Sequence, residues 1–172
     1  MNHIVLWLLM NAGICCAVTL IVDGILMGPL KLTFRRPPKE KRFFVTGPDR
    51  IDLQEGLRCS AYASAYLLRY LQIPAEGAEL YEQMPGKQKT GTVLPRGILK
   101  LLKRYGVTAC YRAGNLHALK TALENKMPVI VMIRVRPDRN WLHYVPVVGY
   151  DEKALYLAES LPELVNAEGP RL

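Results

Sequence analysis

The sequence has few of the residues that metal sites and disulfide scaffolds require. Its 172 residues include four cysteines and three histidines, and no CxxC pair or Cys/His zinc-ligand spacing is present. A structural zinc site and a disulfide framework are therefore not expected, although a disulfide between Cys59 and Cys110 stays open. The sparse use of cysteine favours a reducing compartment. We expect no metal and no cofactor.

Other familiar signatures are missing too. The chain has no ATP-binding motif, so any coupling to ATP hydrolysis would come from another chain. It has no RNA-binding aromatic signature, so nucleic acid is not an expected partner despite a net charge of +8. No internal repeat or low-complexity tract is present. With 50% hydrophobic and 22% charged residues, the chain has the composition of a folded protein and the length of one domain with an appendage.

The most apolar part of the chain is its N-terminus. Residues 4–22 are interrupted mainly by Asn11, and a helix of this length crosses about 30 Å of hydrocarbon at about 1.5 Å per residue. A cleaved signal peptide requires positive charge before the apolar core, where only the amino terminus and His3 stand. A lipoprotein signal requires a small residue before the cysteine, and Cys15 follows an isoleucine. We therefore predict that residues 1–29 form a retained single-pass transmembrane anchor.

The positive charge is concentrated directly after this run. Between residues 31 and 42 the only acidic side chain is Glu40, and the basic ones are Lys31, Arg35, Arg36, Lys39, Lys41 and Arg42. Such a cluster favours a membrane surface over nucleic acid or an acidic substrate. The positive-inside bias then places the following domain in the cytoplasm, with the extracellular face as the alternative. Residues 30–45 are interpreted as a stiff basic linker, which either lies on headgroups or is a solvated tether.

Residues 46–172 have the pattern of one mixed domain in which helices precede strands. Apolar periodicity and helix-flanking residues predict helices at 59–71, 75–83, 94–106 and 115–127, the last with Asn115 as its N-cap. Runs rich in β-branched and aromatic residues predict strands at 107–112, 128–135, 143–151 and 154–160. The segment 42–47 is either a short strand or an extended arm. This order favours an α+β fold with helices packed on an antiparallel sheet. Because the chain stops soon after the last strand, a domain lacking its C-terminal elements is one interpretation.

One cysteine stands where a nucleophile would be activated. Cys59 begins a helix, where the partial positive charge of unpaired amides favours the thiolate anion, and Arg58 is its neighbour. A cysteine nucleophile also needs a histidine to share the proton. His3 falls in the predicted anchor and His117 on an amphipathic helix. His143 opens an apolar strand and is therefore the candidate base.

The remaining parts of a catalytic site have candidates as well. An imidazole base is held by a third group, and if the last two strands form a hairpin, Glu159 lies beside His143 whereas Asp151 falls in the turn. The developing oxyanion needs donors. The backbone amide of Cys59 and the side-chain amide of Gln54 are placed to provide them.

These residues lie in segments with a family likeness. The stretches "CSAYASAYLLRYL", "LPRGI", "PVIVMIRV" and "LHYVPVVGYD", between about Ile51 and Ser160, resemble the papain-like cysteine peptidases. The closest resemblance is to the bacteriocin-leader (double-glycine) peptidases, family thirty-nine of the cysteine peptidases, and their Gram-positive relatives. It implies a papain-like fold, a peptide or protein substrate, Cys59 as nucleophile, His143 as general base and then acid, and Gln54 in the oxyanion hole.

Two departures from the family pattern leave other functions open. The cysteine stands five positions after the glutamine instead of six, and Glu159 replaces the usual aspartate. The main prediction is a membrane-anchored cysteine peptidase with a Cys59–His143–Glu159 triad. One alternative is a non-catalytic peptide-binding domain, in which Cys59 packs as a small hydrophobe and His143 is structural. The other is an acyltransferase that hands the same thioester to an amine. Whether a partner chain completes the fold stays open.

Overall fold

The computed structural model describes residues 3–47, 50–135, 138 and 141–165. The helices are α1 His3–Met27, α2 Cys59–Tyr70, α3 Gly77–Gln83, α4 Pro95–Arg104 and α5 Leu116–Glu124, followed by a short 3-10 helix at Pro162–Leu164. The strands are β1 Leu30–Thr33, β2 Phe43–Phe44, β3 Tyr111–Gly114, β4 Val129–Arg134, β5 Leu142–Tyr150 and β6 Leu155–Leu157. The architecture is mixed helix and sheet with an apolar N-terminal helix, which fits the predicted α+β class.

Helix α1 stands apart from the hydrophobic core. It is long and apolar enough to cross a membrane, and none of its residues is buried. Its C-terminal end nevertheless contacts the rest of the protein, because the Arg96 guanidinium on α4 donates a hydrogen bond to the Ile25 carbonyl. The chain then turns at the buried Gly28, whose φ of +95° favours glycine. The base of α1 is therefore held against α4.

Two short strands lie within the segment interpreted as a linker. β1 pairs in parallel with β3, with Leu30 opposite Tyr111 and Thr33 opposite Gly114. β2 pairs with the end of β5, with Phe43 opposite Tyr150, so the segment 42–47 contains a strand. Neither pairing partner could be identified from the sequence, because each is contributed by residues far along the chain.

The main sheet is antiparallel and is built around β5. β4 pairs with β5 from Val129 opposite Val147 to Arg134 opposite Leu142. β6 lies on the other side of β5, where Leu157 also pairs with Val147. The strands predicted at 128–135 and 143–151 are thus confirmed to within about a residue at each end.

The last predicted strand, 154–160, is too long. β6 ends at Leu157, and the next contact with β5 is the hydrogen bond from the Ala158 amide to the Pro146 carbonyl at 2.9 Å. The nitrogen of Pro146 faces the same side as its carbonyl and carries no hydrogen, so the ladder stops there. Glu159 therefore lies in the segment after β6 instead of on the strand.

The strand predicted at 107–112 begins later than expected. Gly106 has a φ of +76°, and the Val107 amide donates to the Leu102 carbonyl at 3.0 Å. This hydrogen bond closes the C-terminal end of α4 in the manner of a glycine C-cap. β3 consequently starts at Tyr111, and the prediction was wrong for residues 107–110.

The predicted helices are confirmed, and α2 is the central one. Ala61, Ala63 and Ala65 on α2 are almost completely buried, and these small side chains allow α2 to lie close to α3, α4 and β5. At α5, the Asn115 side chain accepts a hydrogen bond from the Ala118 amide at 3.0 Å, which confirms the predicted N-cap. The buried position of α2 fixes where Cys59 stands.

Candidate active site

Cys59 is the first residue of α2 and is half-buried. The first amides of a helix have no intrahelical acceptor, so those of Cys59 and Ser60 are available as donors to another group. All four cysteines are free thiols, and the open question of a Cys59–Cys110 disulfide is thereby answered. Arg58 has other partners: it lies 3.7 Å from the Glu55 carboxylate and 5.2 Å from the Tyr81 ring centroid.

His143 lies on β5 and is 1% exposed. Its Nε2 is 2.8 Å from Oε1 of Glu159, which leaves Nδ1 as the ring nitrogen for Cys59. Burial alone would lower the pKa of His143, but hydrogen bonds with the Cys59 and Glu159 side chains, together with their negative charges, raise it from 6.5 to about 9. The imidazole therefore holds its proton at neutral pH when Cys59 is a thiolate.

Glu159 reaches His143 although it lies beyond β6. Its Oε1 also accepts a hydrogen bond from the Leu161 amide at 2.7 Å. Burial raises the pKa of Glu159, but the hydrogen bonds from His143 and from the Leu161 amide outweigh burial and lower it below its usual range. The carboxylate is therefore ionised and fixed at two points, so the extra methylene of glutamate does not prevent the contact.

Gln54 is buried and lines the same cleft as Cys59, although it lies five positions before the cysteine instead of the six usual in the family. Its Nε2 donates to the Gly56 carbonyl at 2.6 Å, and its Oε1 accepts from the Ser160 hydroxyl at 2.8 Å. Because the Gly56 carbonyl oxygen can only accept, the Gln54 side-chain atom that faces it must be the amide nitrogen, Nε2, and not Oε1. Gly56 has a φ of +59°, a geometry that favours glycine and turns the chain back between Gln54 and Cys59. One amide hydrogen of Gln54 is left for another acceptor.

Sequence reasoning missed the residue that links these groups. The Ser160 hydroxyl holds the Gln54 side chain. The Ser160 backbone carbonyl also accepts a hydrogen bond from the backbone N–H of Gln54 at 2.8 Å. Residues 159–161 thus position the histidine and the glutamine together. The only sequence signal was that Ser160 follows Glu159, which is too weak to assign a role. Asp151, the rejected candidate, accepts hydrogen bonds from Lys153 and Ala154 within the hairpin turn.

These side chains meet in a cleft of about 640 Å³ that is lined by Gln54, Cys59 and His143. Its other walls are mostly apolar and come from Met27, Leu57, Val93, Met132, Trp141 and Tyr144. Ser60 also lines the cleft, where its hydroxyl is buried and has no hydrogen-bond partner among the described residues. The arrangement places the Cys59 sulfur, the His143 imidazole and the Gln54 side chain around one space. Acyl chemistry requires such a nucleophile, a proton carrier and a hydrogen-bond donor.

Within the described ranges, no group of three or more His, Cys, Asp or Glu side chains could hold a metal ion. His117 lies on α5 and does not line the cleft.

Comparison with known proteins places the chain in a family. A family model described as Peptidase_C39 like family matches residues 51–168, the region that carries all four site residues. The searches of curated proteins and of solved structures gave no match. The match covers more than half of the chain and confirms the resemblance to the family-thirty-nine peptidases. The chain therefore belongs to the Peptidase_C39 like family.

Proposed function

We propose that the protein is a membrane-anchored cysteine peptidase with papain-like packing, which hydrolyses a peptide bond through Cys59, His143 and Glu159. The observation that supports this most is the His143–Glu159 contact of 2.8 Å in the cleft that Cys59 also lines. A buried, charged histidine beside a cysteine at a helix N-terminus is a costly arrangement for packing alone.

The proposed reaction has two halves. The Cys59 thiolate attacks the peptide carbonyl, and the oxyanion accepts hydrogen bonds from the Cys59 amide and the remaining amide hydrogen of Gln54. His143 then gives its Nδ1 proton to the leaving amine as the C–N bond breaks. In the second half His143 takes a proton from water, whose oxygen attacks the thioester. Collapse of that intermediate breaks the C–S bond and releases the acid, and Glu159 holds the imidazole throughout.

The proposed anchor is α1. Its length, its apolar composition and the absence of buried residues in it support a membrane span, with residues 30–45 as the basic connection. The basic cluster supports a cytoplasmic domain. Cys110 is exposed, so its labelling by a membrane-impermeant maleimide in intact cells would contradict this sidedness.

The two departures from the family pattern favoured a non-catalytic domain, and the geometry bears on both. Gln54 lines the cleft with Cys59 although only five positions separate them, and the glutamate carboxylate contacts the imidazole. These contacts support hydrolysis over a binding domain. Acyl transfer uses the same first half of the reaction and differs only in the acceptor.

The test is peptide cleavage by the full chain in detergent. A mixture of unrelated peptides is incubated with the protein, and new termini are identified by mass spectrometry. We expect cleavage that is lost in Cys59→Ala and kept in the matched control Cys110→Ala. Cleavage that persists in Cys59→Ala would overturn the proposal, and products joined to an added amine instead of water would assign acyl transfer.

A further inference from the structure

The proposed function leaves open where the substrate comes from, and the position of α1 relative to the cleft bears on this. The apolar residues 4–22 cover about 29 Å as a helix, which is the thickness of the hydrocarbon core. The remaining turns of α1, from Asp23 to Met27, then lie at the level of the headgroups. Met27 is the last residue of α1, and it lines the same cleft as Cys59.

The base of α1 is attached to the domain at three points. The Arg96 guanidinium contacts the Ile25 carbonyl. At Gly28, a Cβ atom would come within 2.9 Å of the Leu99 side chain, so the backbone lies against α4. Immediately afterwards β1 pairs with β3 along its whole length. These contacts hold the cleft next to the membrane end of α1 instead of leaving it on a loose tether.

The cleft lining selects against charge. The described residues that line it include no Asp, Glu, Lys or Arg side chain. Besides Cys59, His143 and Gln54, its polar groups are the Ser60, Thr90 and Thr92 hydroxyls and the Tyr144 phenol. Burial raises the pKa of Tyr144 above its ordinary value of 10.0, so the phenol is uncharged at neutral pH. A charged substrate side chain would lose its hydration here, which is unfavourable. The only ionic groups among the described lining residues are Cys59 and His143, and these neutralise each other in the proposed thiolate–imidazolium pair.

The geometry points to a substrate that is itself attached to the membrane: an uncharged, largely apolar peptide segment presented at the bilayer surface by its own hydrophobic anchor. The inference rests on the proposed nucleophile and the proposed membrane span. It adds the substrate class, because a cleft that begins at the end of α1 is reached by a chain emerging from the same bilayer without crossing open solvent.

Tripeptide chloromethyl ketones are suitable probes because they alkylate a cysteine nucleophile, with formation of a C–S bond and loss of chloride. The full chain is reconstituted in phosphatidylcholine vesicles with its domain outward. The reference probe is acetyl-Val-Leu-Ala chloromethyl ketone. A second probe carries a myristoyl chain directly on the tripeptide, and a third carries it through a flexible spacer about 80 Å long. Labelling of Cys59 is followed by mass spectrometry.

The two tether lengths distinguish a cleft that lies at the membrane surface from a cleft that is held away from the membrane. A tripeptide spans only about 10 Å, so the directly acylated probe reaches Cys59 only if the cleft lies at the headgroups. We expect it to label Cys59 at least 10-fold faster than the acetyl probe and at least as fast as the long-spacer probe. The proposal is overturned if the long-spacer probe is faster than the short one, or if neither exceeds the acetyl probe.

Charge is tested with the same set of probes. Replacing the probe leucine by aspartate or lysine is expected to slow labelling at least 10-fold, and equal rates would contradict the uncharged substrate class.

Arg96→Gln, which removes the contact with α1, is expected to reduce the short-tether advantage by at least half. Lys100→Gln removes the same charge one turn along α4 and is expected to preserve it. Equal responses of these two variants would contradict the fixed placement of the cleft.

Failure of this inference is distinguishable from failure of the proposed function. If Cys59 is labelled by the acetyl probe in a manner that requires His143, but tether length and probe charge have no effect, the peptidase proposal stands and the membrane-attached substrate does not. If no probe labels Cys59 in a His143-dependent manner, the proposed function fails.

Discussion

His143 contacts a carboxylate whose side chain is one methylene longer than the aspartate usual in this family. The backbone accommodates the longer side chain because β6 ends before Glu159. Glu159 lies after β6, where its Oε1 contacts both the imidazole at 2.8 Å and the Leu161 amide at 2.7 Å. A shorter aspartate would need β6 to continue its pairing with β5 past Ala158, and Pro146 has no N–H to donate to such a continuation. The longer glutamate side chain reaches His143 from the segment after the strand.

Removing the charge of Glu159 tests this pair directly. In Glu159→Gln the imidazole keeps a polar neighbour but loses a negative one, so the pKa of His143 is expected to fall below about 9. The measurement is an NMR titration of the full chain with labelled histidine Cε1. Glu163→Gln, which removes a charge nearby in sequence, serves as the control and leaves this pKa unchanged. An unchanged value in Glu159→Gln would show that Glu159 does not act on the imidazole.

Ser160 donates a hydrogen bond to the Gln54 side chain, so under the proposed function we expect it to act as a positioning residue. Ser160→Ala leaves the buried Oε1 of Gln54 without its donor, which is expected to cost about 1 to 3 kcal/mol of unfolding free energy and to lower kcat with little change in KM. Ser64→Ala is the control, since among the described residues that buried hydroxyl bonds only to the Ser60 carbonyl one turn before it. If both variants change kcat equally, Ser160 has no particular role in placing Gln54.

At the scale of elements, Gly97 explains why the "LPRGI" motif contains a glycine inside a helix. A Cβ atom there would lie 2.4 Å from Val93 Cγ1 and 2.6 Å from the Pro85 carbonyl oxygen. The helix therefore approaches the backbone at Pro85 more closely than any side chain allows. This contact positions the segment that carries Val93 along one wall of the cleft.

Gly97→Ala is consequently expected to destabilise the protein although alanine is the better helix former. The expected loss is about 1 to 3 kcal/mol, measured by urea unfolding in detergent. Lys100→Ala on the exposed side of α4 is expected to change stability by less than about 0.5 kcal/mol. A Gly97→Ala variant as stable as the native chain would mean that the Pro85 contact relaxes without cost.

The elements also show where sequence reasoning succeeds and where it fails. Long periodic segments such as α2 and the β-branched run of β4 were predicted, because their patterns depend on burial alone. The beginning of β3 and the end of β6 were missed. Both depend on a single hydrogen bond, from Val107 to the end of α4 in one case and from Ala158 to Pro146 in the other. The parallel pairing of β1 with β3 leaves no local signal at all.

For the candidate site, the sequence suggested the residues that we propose to react but not the groups that hydrogen-bond to them. Cys59 and His143 were recognisable from their chemistry and positions, and Glu159 was found through a hairpin whose last strand proved shorter. Ser160 and the Leu161 amide were not recognisable, because a hydroxyl and a backbone group carry no distinctive pattern. Met27 was assigned to the anchor, and only the fold brings it to the cleft.

For the whole molecule, the histidine–glutamate pair makes stability depend on pH. The pKa of His143 is raised above 6.5 on folding, so its contribution is complete below about pH 6.5 and is lost as pH rises through about 9. The pKa of Glu159 is lowered below 4.5, so its contribution is present above about pH 4.5 and is lost as pH falls.

The difference in unfolding free energy between the native chain and Glu159→Gln is therefore expected to be largest between about pH 4.5 and 6.5. It shrinks toward zero as pH rises through about 9, and it also shrinks in acid. Urea unfolding at several pH values measures it, with Glu163→Gln as the variant whose difference stays flat. A difference that grows with rising pH would contradict the assigned charges.

His143 is proposed to activate Cys59, and the rate of alkylation of each thiol is the most direct measurement of this activation. Purified full-length protein is treated with iodoacetamide at neutral pH, and modification of Cys59 and Cys110 is followed by mass spectrometry. We expect Cys59 to react at least 10-fold faster than the more exposed Cys110, and His143→Ala to remove that advantage. Equal rates for the two thiols, with no effect of His143→Ala, would contradict the account.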